Sequence, residues 1–378
     1  MSRPADGSAV AATADTAGQP VEAVPALDRA APATGLAAWA RTIVASPRRA
    51  VLFAIFILVV FLALPEWLNS YFLLAMTGVV IYSIITLGLG LLIGRVGMVS
   101  LCQFVLAGLG AWVALRLSYA TDLPFPVLIL CAGVVTMVIG TLIGLPAIRL
   151  SGLYLALITL MAAGALTILL RTAQFPNGGS GFFGNSSAGG ASSLLPRPSI
   201  ARSDVAYYRY CVIAALIMFA VAAWHVRGKP GRAWAAVRQS EASAVAAGVH
   251  TTRYKIWAFA LASFTAGVAG GLLAASAGGV AISQFPVSNS ITLLAVVLLG
   301  GVYNLWGAVV AAIFMRLVPA ALTYYWGWST EILTILFGIG VIQVLLTAPG
   351  GIVEQMPKDL GHLARKLTGR SKKAEEMS

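Results

Sequence analysis

Our interpretation of this chain starts from a polar, basic segment between two long apolar runs, in which residues 231–248 read GRAWAAVRQSEASAVAAG. Its many alanines combine high helix propensity with little side-chain bulk, and Gly248 is typical of a helix end. We therefore predict one short helix, residues 232–248, inside a loop that covers residues 227–255. A helix of such small residues is suited to docking in the groove of a soluble partner.

Composition determines the environment of the apolar runs. The 378 residues are 59% hydrophobic and 10% charged, with a mean hydropathy of +0.88, whereas a soluble domain has about 25% charged residues. Repeated apolar runs of about 20 residues match the thickness of a bilayer. The predicted fold is an all-α polytopic membrane helical bundle. The formal charge of +12 comes from basic clusters beside apolar runs, which indicates membrane topology and argues against nucleic-acid binding.

About ten transmembrane helices are expected. The predicted spans are residues 51–64, 71–94, 101–118, 127–148, 153–170, 206–224, 256–277, 291–299, 306–323 and 332–346. The piece 291–299 is short, so we interpret it as a broken or re-entrant helix. Basic clusters lie before the first span, after the sixth and after the last, and an even number of crossings between them places all three on the cytoplasmic side.

Three regions follow from this pattern. Residues 1–47 are rich in Ala, Pro, Thr and Asp and are predicted to be a disordered cytoplasmic tail. Residues 48–350 form the transmembrane domain, and residues 351–378 are a basic cytoplasmic tail. Pairs of glycines four residues apart predict close helix packing; they are Gly90 with Gly94, Gly140 with Gly144, and Gly267 with Gly271.

The sequence lacks the motifs of common enzymes. It has no phosphate-binding Gly-rich loop that ends in Lys-Ser or Lys-Thr, so we expect no ATP hydrolysis by this chain. Its three cysteines have no paired spacing for a disulfide framework or a metal site. Acids near spans lie at span ends, which disfavours an ion-coupled carrier; they are Glu66, Asp122, Asp204 and Glu331. An ion-coupled carrier that binds sodium through backbone carbonyls at broken helices remains an alternative.

Several motifs carry a resemblance to a known family. They are residues 231–255 with their Arg-x-x-Glu-x-Ala core, the Gly-rich turn at 94–112, residues 149–154 with 159–160, the Gly-Gly loop at 177–181, and residues 299–301 with 305–307. Over roughly residues 50–350 the chain resembles the inner-membrane permease subunits of ATP-binding-cassette importers, specifically the LivM-like branched-chain amino-acid type. The resemblance implies a bacterial inner-membrane protein with both termini in the cytoplasm.

The resemblance also implies partners and sites. The partners would be a homologous second permease subunit, two cytoplasmic ATPase subunits that bind ATP and Mg²⁺, and an extracytoplasmic substrate-binding protein; this chain itself would hold no cofactor. The residues expected to couple to the ATPase are Arg232, Arg238, Glu241, Ala242, Ala246 and Gly248. Polar groups at span bends are candidates for the substrate path, and they are Ser100, Gln103, Tyr154, Thr159 and Asn304.

The solute is less closely defined than the class of transporter. The chain has Met98, Cys102, Gln103 and Gly164 where the family usually has other residues. A branched-chain or related amino acid is the expected solute. Urea or other amides, aromatic acids and sugars are alternatives, and an ion-coupled secondary transporter is a more distant one.

Overall fold

The computed structural model describes residues 58–147, 150, 152–172, 195–278 and 284–327, together with single positions between 332 and 343. The two predicted tails, the Gly-Gly loop at 177–181, half of the first predicted span and most of the last predicted span lie outside the described residues.

The described chain consists of helices and connecting segments, without a strand in these residues. The helices are α1 (Leu64–Trp67), α2 (Ser70–Leu91), α3 (Gln103–Ala120), α4 (Phe125–Ala147), α5 (Leu153–Thr172), α6 (Asp204–Arg227), α7 (Lys229–Gln239), α8 (Glu241–Ala246), α9 (Thr251–Ala277), α10 (Ser288–Gly300), α11 (Leu305–Ala312) and α12 (Val318–Trp326). Single π-helical turns lie at Val59–Ala63, Leu92–Val96 and Ile313–Leu317.

Seven helical segments in the described part are long and apolar enough to cross a membrane. They are Ser70–Val96, Gln103–Ala120, Phe125–Pro146, Leu153–Arg171, Asp204–Arg227, Thr251–Ala277 and Leu305–Trp326. The predicted class, a polytopic helical membrane bundle, is therefore confirmed. The total of about ten helices is not confirmed, because parts of the first and last predicted spans lie outside the described residues. The predicted short piece corresponds to α10, which has 13 residues and is too short to span a bilayer alone.

The centre of the bundle is α9, which packs against α2, α3 and α4. Small residues allow the helix axes to approach closely. A Cβ on Gly270 would overlap the backbone carbonyl of Ala107, and one on Gly110 would overlap the backbone of Gly267. The predicted glycine pairs lie at such contacts: Gly140 and Gly144 face Ser263 and Phe259, Gly267 and Gly271 face α4, and Gly94 faces the carbonyl of Val302.

Helix α2 runs antiparallel to the segment formed by α11, its π-turn and α12. The Thr86 hydroxyl donates to the carbonyl of Ala308 at 2.8 Å, and the Tyr71 hydroxyl donates to the carbonyl of Ala320 at 3.2 Å. Tyr71 also stacks on Tyr324, with the ring centroids 5.4 Å apart. We call the end of the bundle at Tyr71 the far end, and the end that carries α7 and α8 the loop end.

Two helices begin inside the bundle. After Gly97, which has φ +82°, residues 98–102 are non-helical, and all of them except the half-buried Val99 are buried. The first ring of α3, Phe104, lies 6.0 Å from the Tyr82 ring and 5.5 Å from the Phe285 ring, just before α10. At 1.5 Å per residue, Tyr82 lies about 18 Å from the start of α2 and about 21 Å from Val96, so it is near the middle of this span. Buried protein surroundings are what make such irregular backbone tolerable in a membrane.

Candidate functional site

Helix α7 is fixed to the loop end by its buried face. Trp234 is 1% exposed, and its indole nitrogen donates to the carbonyl of Tyr254 in α9 at 2.9 Å. Ala233 and Val237 are buried on the same face, as expected for residues three and four apart on a helix. Gly231 lies so close to Val226 that a Cβ would overlap its carbonyl. The helix is therefore packed against the ends of α6 and α9.

Arg238 ties α7 to the transmembrane core. Its guanidinium donates to the carbonyl of Gly94 at 2.5 Å and to the hydroxyl of Tyr303 at 2.7 Å, and it also lies 4.4 Å from the Tyr303 ring centroid. Arg95 donates to the carbonyl of Tyr303 at 3.1 Å. These contacts join α7 to the end of α2 and to the turn before α11. A shallow cleft at this junction is lined by Gly94, Arg95, Ala235, Arg238 and Gln239.

The predicted single helix over residues 232–248 is wrong in one respect, because it is broken at Ser240. Ser240 has φ −163° and ψ 120°, and its hydroxyl accepts from the backbone N–H of Ser243 at 3.3 Å. A serine hydroxyl that satisfies a free N–H stabilises a new helix start. Glu241 therefore lies in the first turn of α8 and not in the middle of a continuous helix. Its negative charge there interacts favourably with the positive end of the helix dipole.

Helix α8 displays small residues to solvent. Ala242, Ala246 and Ala247 are exposed, Val245 is 59% exposed, and Ala244 is buried against the bundle. Gly248 ends this helix as predicted, with φ +78°. The Val249 N–H donates to the carbonyl of Ala244 and the Gly248 N–H to that of Val245, as in a Schellman motif. We call the exposed residues between Ala242 and Gly248 the α8 surface. Arg232 is exposed on neighbouring α7.

The side-chain partner of Glu241 is Lys255. One carboxylate oxygen of Glu241 lies 2.5 Å from the Lys255 ammonium, whose side chain is only 9% exposed, against 53% for Glu241. Arg238, the basic residue nearest to Glu241 in the sequence, is instead occupied at Gly94 and Tyr303. The ion pair fixes the start of α8 to the first turn of α9.

Charge reversal tests this ion pair. Glu241→Lys is expected to lower stability by about 1–3 kcal/mol, since it leaves a nearly buried ammonium unpaired. Adding Lys255→Glu is expected to restore much of the loss, because it recreates the pair with opposite polarity. Thermal unfolding of the purified protein measures both variants. If the double variant were as unstable as the sum of the two single variants, the pair would have no coupling.

The structure brings three of the five path candidates together. The buried hydroxyl of Thr159 in α5 accepts from the backbone N–H of Leu101 at 2.9 Å. Ser100 and Gln103 flank Leu101, and both are 1% exposed. The amide oxygen and nitrogen of Gln103 have no hydrogen-bond partner among the described residues. A buried polar group left unpaired costs about 1–3 kcal/mol. The unpaired amide distinguishes Gln103 from Ser100 and Thr159, which both have hydrogen-bond partners.

The other two path candidates lie apart from this group. Tyr154 is 72% exposed, one residue after the start of α5. Asn304 caps α11, where its side chain accepts from the Trp306 N–H at 3.4 Å. It also lines a cleft between α2, α10 and α11. Its structural role as a cap is thus visible, while its predicted role in a path stays a prediction.

Sequence reasoning missed two residues of interest. Tyr303, the partner of Arg238, had no local signal, because its role depends on contacts between distant segments. Arg316 did have a signal, since it is a charged residue inside the apolar run 306–323. A charge within a span is by default a candidate functional residue, but only acids had been considered.

The fold and the site define a class, namely a multi-pass helical membrane protein with a small-residue helix displayed at one end. Sequence comparison identifies the family. A profile described as the branched-chain amino acid transport system permease component matches residues 71–345. The chain belongs to this permease family.

Two named proteins are similar in sequence to this chain. The chain is 30% identical over 292 residues to the high-affinity branched-chain amino acid transport system permease protein LivM of Salmonella typhimurium strain LT2. It is 29% identical over 292 residues to the LivM protein of Escherichia coli K12. Each match covers 70% of this chain and 66% of the relative, which is just under two thirds. No solved structure matches the chain significantly.

Proposed function

We propose that this chain is the transmembrane permease subunit of an ATP-binding-cassette importer, and that separate ATPase subunits drive it through the α8 surface. The observation that carries the proposal is the connection from this surface to the core. Ala242, Val245 and Ala246 are exposed on α8, while Arg238 on adjoining α7 holds the ends of α2 and α11. A force applied to α7 and α8 would reach two spans directly.

The proposed partners follow from this arrangement. Each of two cytoplasmic ATPase subunits would contact one permease subunit. The ATPase subunits, and not this chain, would bind ATP and Mg²⁺. A groove in the ATPase fits the α8 surface because alanines allow close backbone approach. Arg232 and Glu241 would lie at the rim of that contact, and the loop end of the bundle, with both chain termini, would face the cytoplasm.

The proposed solute path runs past the points where helices start inside the bundle. Ser100, Gln103 and Thr159 lie at the buried start of α3, and Asn304 lies at the cleft between α2, α10 and α11. A homologous second permease subunit would complete the path. An extracytoplasmic binding protein would deliver solute to the far end. ATP binding would favour one of two access states, and so shift their populations.

A branched-chain or related amino acid is the solute we propose, because both relatives are named for it. Urea or other amides, aromatic acids and sugars are the alternatives to test. An ion-coupled mechanism has less support. The described acids Glu66, Asp204 and Glu241 form ion pairs with basic residues, and Asp122 lies in the turn before α4, so none is placed as an ion ligand within a span.

The test is ATP-dependent uptake by the assembled complex in proteoliposomes. Ala246→Trp is expected to reduce uptake at least tenfold, because a large side chain would separate the ATPase from α8. The matched control is Ala220→Trp, an exposed alanine within the apolar span α6, which should leave uptake near the wild-type rate.

Two outcomes would contradict the proposal. One is normal uptake by Ala246→Trp. The other is uptake by wild-type protein without ATP and ATPase subunits, driven by an ion gradient, since this would establish a secondary transporter.

A further inference from the structure

Arg316 places a positive charge in the middle of a transmembrane span. It belongs to the π-turn Ile313–Leu317 between α11 and α12, about 17 Å from Leu305 and about 15 Å from Trp326 at 1.5 Å per residue. Charged side chains at this depth are costly and are retained where they face a polar path or a partner. The side chain of Arg316 is exposed on the surface of this chain.

The surroundings of Arg316 hold the guanidinium in position but do not neutralise it. Its guanidinium carbon lies 5.3 Å from the centroid of the Tyr82 ring. Gly78 leaves the necessary room, because a Cβ there would lie 2.8 Å from the Arg316 Nε. Both residues are on α2, which flanks the π-turn. The arginine thus lies along α2 with a defined orientation.

No described carboxylate is placed to pair with Arg316. Glu66 pairs with Arg209, Asp204 with Arg197 and Glu241 with Lys255. Asp122 lies in the turn between α3 and α4, at the end of its span. Within the described part of the chain, Arg316 has a cation–π contact and no anionic partner.

The local backbone is also specialised. A π-turn inside an α-helix often marks a functional site. Here the Val318 N–H donates to the carbonyl of Ile313, five residues earlier, and Pro319, which follows Val318, lacks an N–H to continue the normal ladder. Helix α10, which begins inside the bundle, packs on this turn.

We infer that Arg316 is the residue that binds the carboxylate of the transported solute halfway across the membrane. A guanidinium matches a carboxylate with two parallel hydrogen bonds, and such a pairing would compensate the charge at this depth during passage. The inference rests on the proposed permease function and narrows it to solutes that carry a carboxylate. Urea, neutral amides and sugars would not need this group.

The experiment uses the complete complex with its ATPases, second permease subunit and binding protein, reconstituted in proteoliposomes. The probes are radiolabelled leucine, isoleucine, valine and phenylalanine, with urea as the neutral comparison. Arg316→Gln is expected to reduce ATP-dependent uptake of the carboxylate-bearing probe at least tenfold. Arg316→Lys should retain more uptake than Arg316→Gln, because it keeps the charge but not the paired geometry. Arg171→Gln, at the end of α5, is the matched control and should transport normally.

Two further readouts separate this role from a structural one. Basal ATP hydrolysis and co-purification of the second permease subunit should be unchanged in Arg316→Gln. Loss of the second subunit would overturn the inference, since Arg316 would then pair with an acid at the subunit interface. Normal uptake of the amino acid by Arg316→Gln would also overturn it.

The proposed function fails separately from this inference. ATP-dependent uptake of urea but of none of the amino acids by the wild-type complex would refute the carboxylate role and leave the permease function standing. A complex that takes up none of the probes in the presence of ATP, and whose ATP hydrolysis is intact and is not altered by Ala246→Trp, would refute both the permease function and the carboxylate role of Arg316.

Discussion

Gly270→Val is expected to prevent the bundle from reaching a stable fold. A Cβ at this position would overlap the carbonyl oxygen of Ala107, and it would lie 2.7 Å from the carbonyl carbon of the same residue and 2.9 Å from the backbone nitrogen of Ala111. These atoms belong to the backbone, so no change of rotamer relieves the overlap and the axes of α3 and α9 must move apart. Overpacking usually costs about 1–3 kcal/mol, and a clash between backbones at the centre of the bundle should exceed that range.

Thermal unfolding of the detergent-solubilised protein, with the yield of monodisperse protein, measures the effect of Gly270→Val. The control is Gly164→Val, because a Cβ at Gly164 in α5 meets nothing within 4 Å. Both variants place a valine in an apolar helix, so they share the same change in helix propensity. Unfolding of Gly270→Val at the temperature of the control would show that the close approach of α3 and α9 is not required.

The second large effect is expected for Arg238→Ala, which should reduce ATP-dependent uptake at least tenfold and leave the protein in the membrane at a normal level. The variant removes the donors to Gly94 and Tyr303 and the stacking on the Tyr303 ring. Hydrogen bonds from a charged group contribute about 1.5–3 kcal/mol each, and the solvent exposure of Arg238 reduces this value. Helix α7 would still be anchored by Trp234, but it would no longer be tied to α2 and to the start of α11.

A second substitution identifies the interaction. Tyr303→Phe removes the hydroxyl acceptor of Arg238 and should cause a smaller loss of uptake. Because both residues belong to one contact, the double variant should transport no worse than Arg238→Ala alone. Lys229→Ala, an exposed cation on the same helix, should behave as wild type. Additive losses would mean that Arg238 acts through a different contact, such as one with the ATPase itself.

The local sequence anticipated the membrane helices well. Spans such as 153–170 and 306–323 agree with Leu153–Arg171 and Leu305–Trp326, because the backbone in a bilayer must satisfy its own hydrogen bonds and a long apolar run can do so only as a helix. The helix end at Gly248 was equally predictable, since its positive φ suits glycine. The break at Ser240 was not, because alanine-rich flanks favour helix on both sides and the serine cap competes only weakly with it.

The candidate site depended more on distant contacts. The residues of the α8 surface could be selected from the sequence, but the partner of Glu241 could not, since Lys255 becomes its neighbour only when α8 folds back on α9. Likewise, Arg238 reaches Gly94 and Tyr303 across segments that the sequence does not relate.

The sequence by itself determined that this chain is a helical membrane protein, where its apolar spans lie, and that a small-residue helical segment interrupts them. These properties follow from hydropathy and local backbone preference, which act over a few residues. Only the tertiary structure decided that Arg238 links α7 to α2 and the turn before α11, that α3 and α10 begin inside the bundle, and that Arg316 lies along Gly78 and Tyr82 without a described anionic partner. Those features arise from packing between helices far apart in the chain, and composition does not encode which side chains that packing brings together.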